Sequence, residues 1–297
     1  MSLLLSPGEL AKSLDDERLV VIDCRFNLLV PEAGREAWGE AHIPGAFYAD
    51  LDNDLAGSIT ATSGRHPLPD PDDFGRLLGS WGVMPETKVI AYDDAGGAVA
   101  ARLWWLLRWV GHQHVGLLNG GWQAWQASGL TTDASIPELL SACYPVAPDA
   151  MPVTTVEEVQ QGIASGELVL IDARDAKRFA GLTEPIDTRA GHIPGSVNRP
   201  FQANLDDKMC FLPLAELRRE FAALLSGHRQ GQGQGGEQLV CMCGSGVTAC
   251  HNLFAMELAG VADTSGASAA LYVGSWSEWI RSADRLVSPL VSESTTQ

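Results

Sequence analysis

Three of the chain's six cysteines fall within the ten residues CMCGSGVTAC, 241–250. Thiols, glycines and hydroxyls packed this closely admit four chemistries: a metal clip, a disulfide, a core strand running into a turn, or a nucleophile cradled by backbone amides. A zinc clip needs about four ligands at C-x₂₋₄-C type spacings. Here the pattern is C-x-C-x₆-C-H with no second cluster, so no metal is expected. Six unevenly spaced cysteines in 297 residues are too sparse for a disulfide scaffold, and a reducing, cytoplasmic compartment is expected.

The two remaining readings differ in what Cys243 does. The apolar run QLV reads as a strand, and VTACHNLFAMELAG reads as the helix that follows it. Cys243 then stands where a parallel strand ends, the place where ligands bind in open α/β sheets. Gly244 and Gly246 lack a Cβ, so the backbone can turn tightly and direct N–H groups inward. The N-terminal end of the next helix adds partial positive charge. Such a cradle favours the thiolate, which is the nucleophilic form. From the loop alone, a purely structural strand and turn stays open. Cys241 and Cys250 read as core thiols.

The elements that must hold this loop occur twice. LVVIDCRF (19–26) matches LVLIDARD (168–175), and AHIPG from Ala41 matches GHIPG from Gly191. KVIAYDDAGGAVAARLWW parallels QLVCMCGSGVTACHNLF, and NGGWQAW parallels VGSWSEW. The offsets are 149 (Asp23 to Asp172), 150 (His42 to His192) and 154 (Trp122 to Trp276). Ordered matches at nearly constant offset indicate a duplication. Asp93 in the first copy stands where Cys243 stands in the second. One copy has a thiol and the other an anion that cannot carry sulfur, which argues against a merely structural loop.

Short apolar runs such as LVVID, KVIAY and VGLL read as buried parallel strands. PDDFGRLLGSWG places Phe74, Leu77, Leu78 and Trp81 on one helical face. PLAELRREFAALL does the same with Leu214, Leu217, Phe221 and Leu224. The expected fold class is α/β: two tandem domains, each a mainly parallel sheet flanked by helices. Residues 1–135 form the first, 136–152 a linker, and 153–297 the second. GHRQGQGQGGEQ, 227–238, reads as a flexible loop.

Composition narrows the partners. Hydrophobic residues make up 45% of the chain, yet no apolar run approaches the ~20 residues of a membrane span. The N-terminus lacks the basic region of a signal peptide. Twenty basic against 37 acidic residues give a formal charge of −17, which argues against nucleic acid or an anionic membrane surface. A small anionic substrate would need a few arginines to overcome that field locally.

With these paired HIPG segments, the cysteine loop and the GGW and GSW segments, nearly the whole chain resembles the rhodanese superfamily, and within it the tandem-domain sulfurtransferases. The loop C-G-S-G-V-T is similar to that of 3-mercaptopyruvate sulfurtransferases. Thiosulfate sulfurtransferases typically carry basic residues where Gly244 and Ser245 stand here. Phosphatases of the same fold require an arginine at 249, which is Ala249. A departure is Val273 before Gly274, where many members have Asp.

The resemblance implies a Cys243 persulfide intermediate, with sulfur drawn from mercaptopyruvate and passed to cyanide or to a thiol such as thioredoxin. It implies no metal and no organic cofactor. Gly244, Gly246, Val247 and Thr248 would surround the reacting sulfur. Arg178 in AKRFAG and Arg189 in EPIDTRAGHIPG would hold the substrate carboxylate. Ser245, His66 and Asp50 would form a hydroxyl–imidazole–carboxylate relay. His42 and His192, equivalent in the two copies, read as architectural. The alternatives are the same chemistry with thiosulfate as donor, or a non-catalytic persulfide carrier.

Overall fold

A computed structural model describes residues 2–226, 237–261 and 269–288. The loop expected over 227–238 therefore lies, but for its last two residues, outside the described residues. The first repeat runs β1 (Leu4–Leu5), α1 (Pro7–Ala11), β2 (Leu19–Asp23), α2 (Glu32–Glu40), β3 (Phe47–Tyr48), α3 (Pro71–Ser80), β4 (Lys88–Tyr92), α4 (Ala100–Trp109), β5 (Val115–Leu118) and α5 (Gly121–Ala127). The second runs β6 (Val153–Thr154), α6 (Val156–Ser165), β7 (Leu168–Asp172), α7 (Ala176–Phe179), β8 (Val197–Asn198), a 3₁₀ turn (Phe201–Asn204), α8 (Leu214–Leu225), β9 (Gln238–Met242), α9 (Ala249–Ala259), β10 (Ala269–Tyr272) and α10 (Ser275–Trp279).

Each repeat builds a five-stranded, wholly parallel sheet in the same order, β1-β5-β4-β2-β3 and β6-β10-β9-β7-β8. The α/β class and the tandem sheets are as the alternating pattern predicts. From β7 the chain moves to one edge, and from β9 to the other. The order therefore reverses between β7 and β9, and the crevice at their carboxyl ends is the natural ligand site. Cys243 is the first residue beyond β9.

The repeated motifs brace that end of each sheet. Asp23 pairs with Arg25 at 2.6 Å, and Asp172 with Arg174 at 2.7 Å, both pairs buried. Each guanidinium lies 4.5 Å from the ring centre of the motif tryptophan, Trp122 or Trp276. His42 and His192 bond through Nδ1 to the carbonyls of Trp38 and Phe179. They hold backbone, as their equivalence suggests.

The repeats meet through α4 and α9, whose residues join one continuous apolar core. Trp104 meets Phe254 edge-to-face at 5.1 Å, a geometry worth about 0.5–1.5 kcal/mol beyond area burial. A loop of the first repeat also crosses the second. A Cβ on Gly64 would lie 2.4 Å from the Gly274 carbonyl oxygen, so only glycine permits this approach. That contact carries the neighbouring Arg65 and His66 over the crevice.

Candidate active site

β9 is buried beyond its first residue, which fixes where the following loop starts. The Cys243 N–H donates to Ser275 Oγ at 3.1 Å, and its carbonyl accepts from the Trp276 N–H at 3.0 Å. Gly246 adopts φ +80°, and a Cβ there would sit 2.5 Å from the Val273 carbonyl oxygen. Glycine is thus required at the turn itself. α9 begins three residues later, at Ala249.

Cys243 is 2% exposed, yet it lines a cavity of about 370 Å³ between the repeats. Gly244, Ser245, Val247 and Thr248 share that lining; Gly246 shapes the turn behind it. The first repeat shows what such a loop does with an anion. Asp93 Oδ1 accepts from the N–H groups of Ala95 and Gly97, and Oδ2 from those of Val99 and Ala100, all at 2.8–2.9 Å. Their equivalents at an offset of 150 are Ser245, Val247, Ala249 and Cys250. In the second repeat the Cys250 N–H donates instead to the Val247 carbonyl at 3.1 Å, so the loop around Cys243 does not repeat the four-amide clasp of Asp93.

A hydrogen-bonded chain crosses from the second repeat to the first. Ser245 Oγ lies 2.7 Å from His66 Nδ1, and His66 Nε2 lies 3.0 Å from Asp52 Oδ1. Burial pushes His66 down to about 3, assisted by the charges of Arg102 and Arg65. The ring is therefore neutral in ordinary buffers. The carboxylate partner assigns the proton to Nε2. Nδ1 then accepts from the Ser245 hydroxyl. Burial, and the nearby Asp50 charge, raise the Asp52 carboxyl.

Asp50, expected as the third member, is not in this chain. Its Oδ1 accepts from the N–H groups of Asp52 and Asn53 and from the Asn53 amide, at 2.9–3.1 Å. It folds the turn that presents Asp52, two residues on. Side-chain capping of the following amides is what a carboxylate at a turn entry does.

Arg178, on α7, lines the cavity. Its Nη2 reaches Glu184 at 2.7 Å and Asp187 at 3.1 Å. Arg65, which the sequence alone does not single out, lines it as well and shares Asp187 as partner. A Cβ on Gly244 would stand 3.2 Å from Arg65 Nη2 and 3.7 Å from Arg178 Nη1. Two guanidinium groups thus converge beside the residue that follows Cys243. The available signal was adjacency to His66 in GRHPLP.

Arg189 is not in the cavity lining. Its Nη1 donates to the Ser282 carbonyl at 3.4 Å, and its own carbonyl accepts from the Trp276 indole. Past Asp187 the chain runs towards α10, which takes this side chain to the C-terminal edge of the repeat.

Cys241 and Cys250 are fully buried, and burial raises both thiols, Cys250 to about 12. They stay protonated and inert. Among the described residues no three His, Cys, Asp or Glu side chains gather as metal ligands. Among them, too, no helix is long and apolar enough to cross a membrane.

The model of the rhodanese-like domain matches residues 6–128 and again 155–282. A Pseudomonas aeruginosa protein named as a probable 3-mercaptopyruvate sulfurtransferase is 44% identical over 286 residues, which is 96% of this chain and 97% of that relative. The thiosulfate sulfurtransferase of Mus musculus is 32% identical, covering 94% of this chain and 92% of that one. Among solved structures, the Escherichia coli 3-mercaptopyruvate sulfurtransferase SseA superposes with a TM-score of 0.74 at 29% identity, over 93% of this chain and all of that one.

Proposed function

The chain belongs to the rhodanese family, and from that premise we propose that it is a 3-mercaptopyruvate sulfurtransferase working through Cys243. Residues 153–297 form its catalytic domain. Residues 1–135 form a domain whose cradle is filled by Asp93, and 136–152 link the two.

In the first half-reaction the Cys243 thiolate attacks the sulfur of 3-mercaptopyruvate. A sulfur–sulfur bond forms, the substrate's carbon–sulfur bond breaks, and its electron pair leaves as the enolate of pyruvate. The new Cys243 persulfide carries the substrate's thiol proton. That proton passes to the enolate carbon, leaving an ionised persulfide and pyruvate, so charge and protons balance without a co-reactant. In the second half-reaction an acceptor attacks the outer sulfur and releases the Cys243 thiolate. Cyanide serves in vitro, and a thiol such as reduced thioredoxin serves in the cell. Two half-reactions sharing one covalent intermediate give ping-pong kinetics.

Arg65 and Arg178 orient the substrate carboxylate as fork-shaped donors. They also meet the charge problem of a chain at −17, by placing two cations where one anion must dock. Ser245 is the proton relay. Its hydroxyl is held by a neutral imidazole, which Asp52 fixes in one tautomer. The amides and hydroxyls of Gly244 to Thr248 stabilise thiolate and ionised persulfide.

The observation that carries the donor assignment is the Ser245–His66–Asp52 chain beside an uncharged Gly244–Ser245 pair. A ketone leaving as an enolate needs a proton relay, whereas thiosulfate leaves as sulfite and needs none. The test compares kcat/KM for 3-mercaptopyruvate and thiosulfate with cyanide as acceptor. A clear preference for mercaptopyruvate is expected, and a preference for thiosulfate would replace this donor. The six cysteines are free thiols, and we place the enzyme's work in a reducing compartment, the cytoplasm.

A further inference from the structure

α4 of the first repeat carries an arginine that the scheme above does not use. Arg102 is fully buried. Its Nε reaches the Leu55 carbonyl at 3.4 Å and its Nη2 those of His66 and Pro67 at 3.2 and 3.3 Å. Its Nη1 reaches across the domain boundary to the Gly246 carbonyl at 3.5 Å. The Cys250 thiol donates to the same Gly246 carbonyl at 3.3 Å. Among the described residues no carboxylate pairs with Arg102. A guanidinium stays charged even when burial lowers its affinity for the proton, and a buried unpaired charge is costly. Four long bonds to carbonyl dipoles are thin compensation.

The other repeat makes the same reach with a different group. Gly96 is the equivalent of Gly246, and its carbonyl lies 3.0 Å from Nε2 of His251 on α9. Burial pushes His251 down to about 4, so this partner is neutral. Asn252, the position equivalent to Arg102, is uncharged and bonds to Asn204 and the Arg199 carbonyl. The molecule thus places a cation behind the loop that carries Cys243. Behind the loop whose anion, Asp93, already has four amides, it places a neutral ring.

We propose that Arg102 is a positioning residue for sulfur transfer: it pins the Gly246 and His66 carbonyls from behind and supplies the buried positive charge that favours the thiolate of Cys243. The proposal rests on Cys243 being the nucleophile. Arg102 is not part of the cavity lining, so it acts through the loop and not on substrate. The other charged or titratable groups around the loop and its cavity are Arg65, Arg174, Asp175, Arg178, His66, Cys241 and Cys250, with Asp52 behind His66, Asp172 paired to Arg174, and Asp187 and Glu184 behind Arg65 and Arg178. Of the three loop thiols, Cys241 and Cys250 are held protonated by burial, which leaves Cys243 as the group able to answer the charge.

The experiment measures the rate of Cys243 alkylation by iodoacetamide against pH, resolved by peptide mass spectrometry, in the full-length protein. Arg102→Gln keeps donors for the carbonyls and removes the charge. Its alkylation midpoint is expected to rise by about one pH unit or more, and Arg102→Lys is expected to restore most of that shift. Arg102→Met, which fills the space without charge, repeats the comparison should the Gln variant fail to fold. An unchanged midpoint in a folded neutral variant overturns the proposal. So does an equal rise in the Lys variant, which would trace the effect to packing. Alkylation needs no sulfur donor, so an enzyme inactive with mercaptopyruvate but showing the shift would sink the donor assignment and leave Arg102 standing.

Discussion

Ser245 Oγ, in the loop after β9, lies 2.7 Å from His66 Nδ1, in a loop of the other repeat. Neither repeat holds the whole hydrogen-bonded chain, so the docking of the two is itself part of the proposed site. Asp52 completes the chain, and Asp50 only folds the turn beneath it. Asp52→Asn is expected to lower kcat with mercaptopyruvate on the order of 10²-fold, the usual scale of acid–base assistance. Asp50→Asn keeps a capping side chain and is expected to leave kcat within about threefold, a change of roughly 0.6 kcal/mol. Steady-state kinetics on both variants check the pair. Equal losses would return Asp50 to the relay.

Arg65 and Arg178 converge on the space beside Gly244. Truncating either to alanine removes a charge-assisted hydrogen bond worth about 1.5–3 kcal/mol. KM for mercaptopyruvate is therefore expected to rise by about tenfold or more. Arg189→Ala is expected to leave KM unchanged, since that side chain bonds to Ser282 outside the cavity. A KM that responds to Arg189 and not to Arg65 would reverse the assignment.

Gly246 combines a left-handed backbone with a carbonyl oxygen 2.5 Å from where a Cβ would be. Gly246→Ala is expected to cost ~1–3 kcal/mol of stability and to disorder the sulfur's cradle. Gly129 has a similar φ, +65°, but open space around it, so Gly129→Ala carries the conformational cost alone. Urea midpoints of the two variants, with kcat for each, separate clash from strain.

Three buried histidines make stability depend on pH in one direction. Burial lowers His66 to about 3, and His112 and His251 to about 4. In the unfolded chain each takes a proton near 6.5. Because the unfolded state binds more protons in this window, stability is full above about 6.5 and falls as pH drops towards 4 and below. Urea denaturation between neutral pH and pH 4 is expected to show this loss, and His251→Asn to show a shallower one. A flat profile would mean that these rings are not held neutral.

Much of this was legible in the sequence because it is local. Strand alternation, paired motifs and a cysteine at a strand's end depend on residues close in the chain, and duplication supplied an internal control in Asp93. The relay's carboxylate was not legible, because DLDND offers acids at 50, 52 and 54 and only the capping turn decides which one faces His66. Arg65 was missed because its reach over Gly244 depends on the Gly64–Gly274 backbone contact, between residues more than two hundred positions apart. Arg189 enters only through the resemblance, and its side chain bonds instead to the Ser282 carbonyl, a partner more than ninety positions away that local sequence does not reveal. Arg102 is one of two arginines on an otherwise apolar helix, and only the packing of α4 on α9 brings it behind the loop of Cys243.

The central claim is that the Cys243 sulfur carries the transferred atom. Intact-protein and peptide mass spectrometry after incubation with 3-mercaptopyruvate, without acceptor, tests it directly. The protein is expected to gain the mass of one sulfur atom on the peptide containing Cys243, to lose it on adding cyanide, and to gain none as Cys243→Ser. Sulfur found on Cys241 or Cys250, or a gain that persists in Cys243→Ser, would contradict the account.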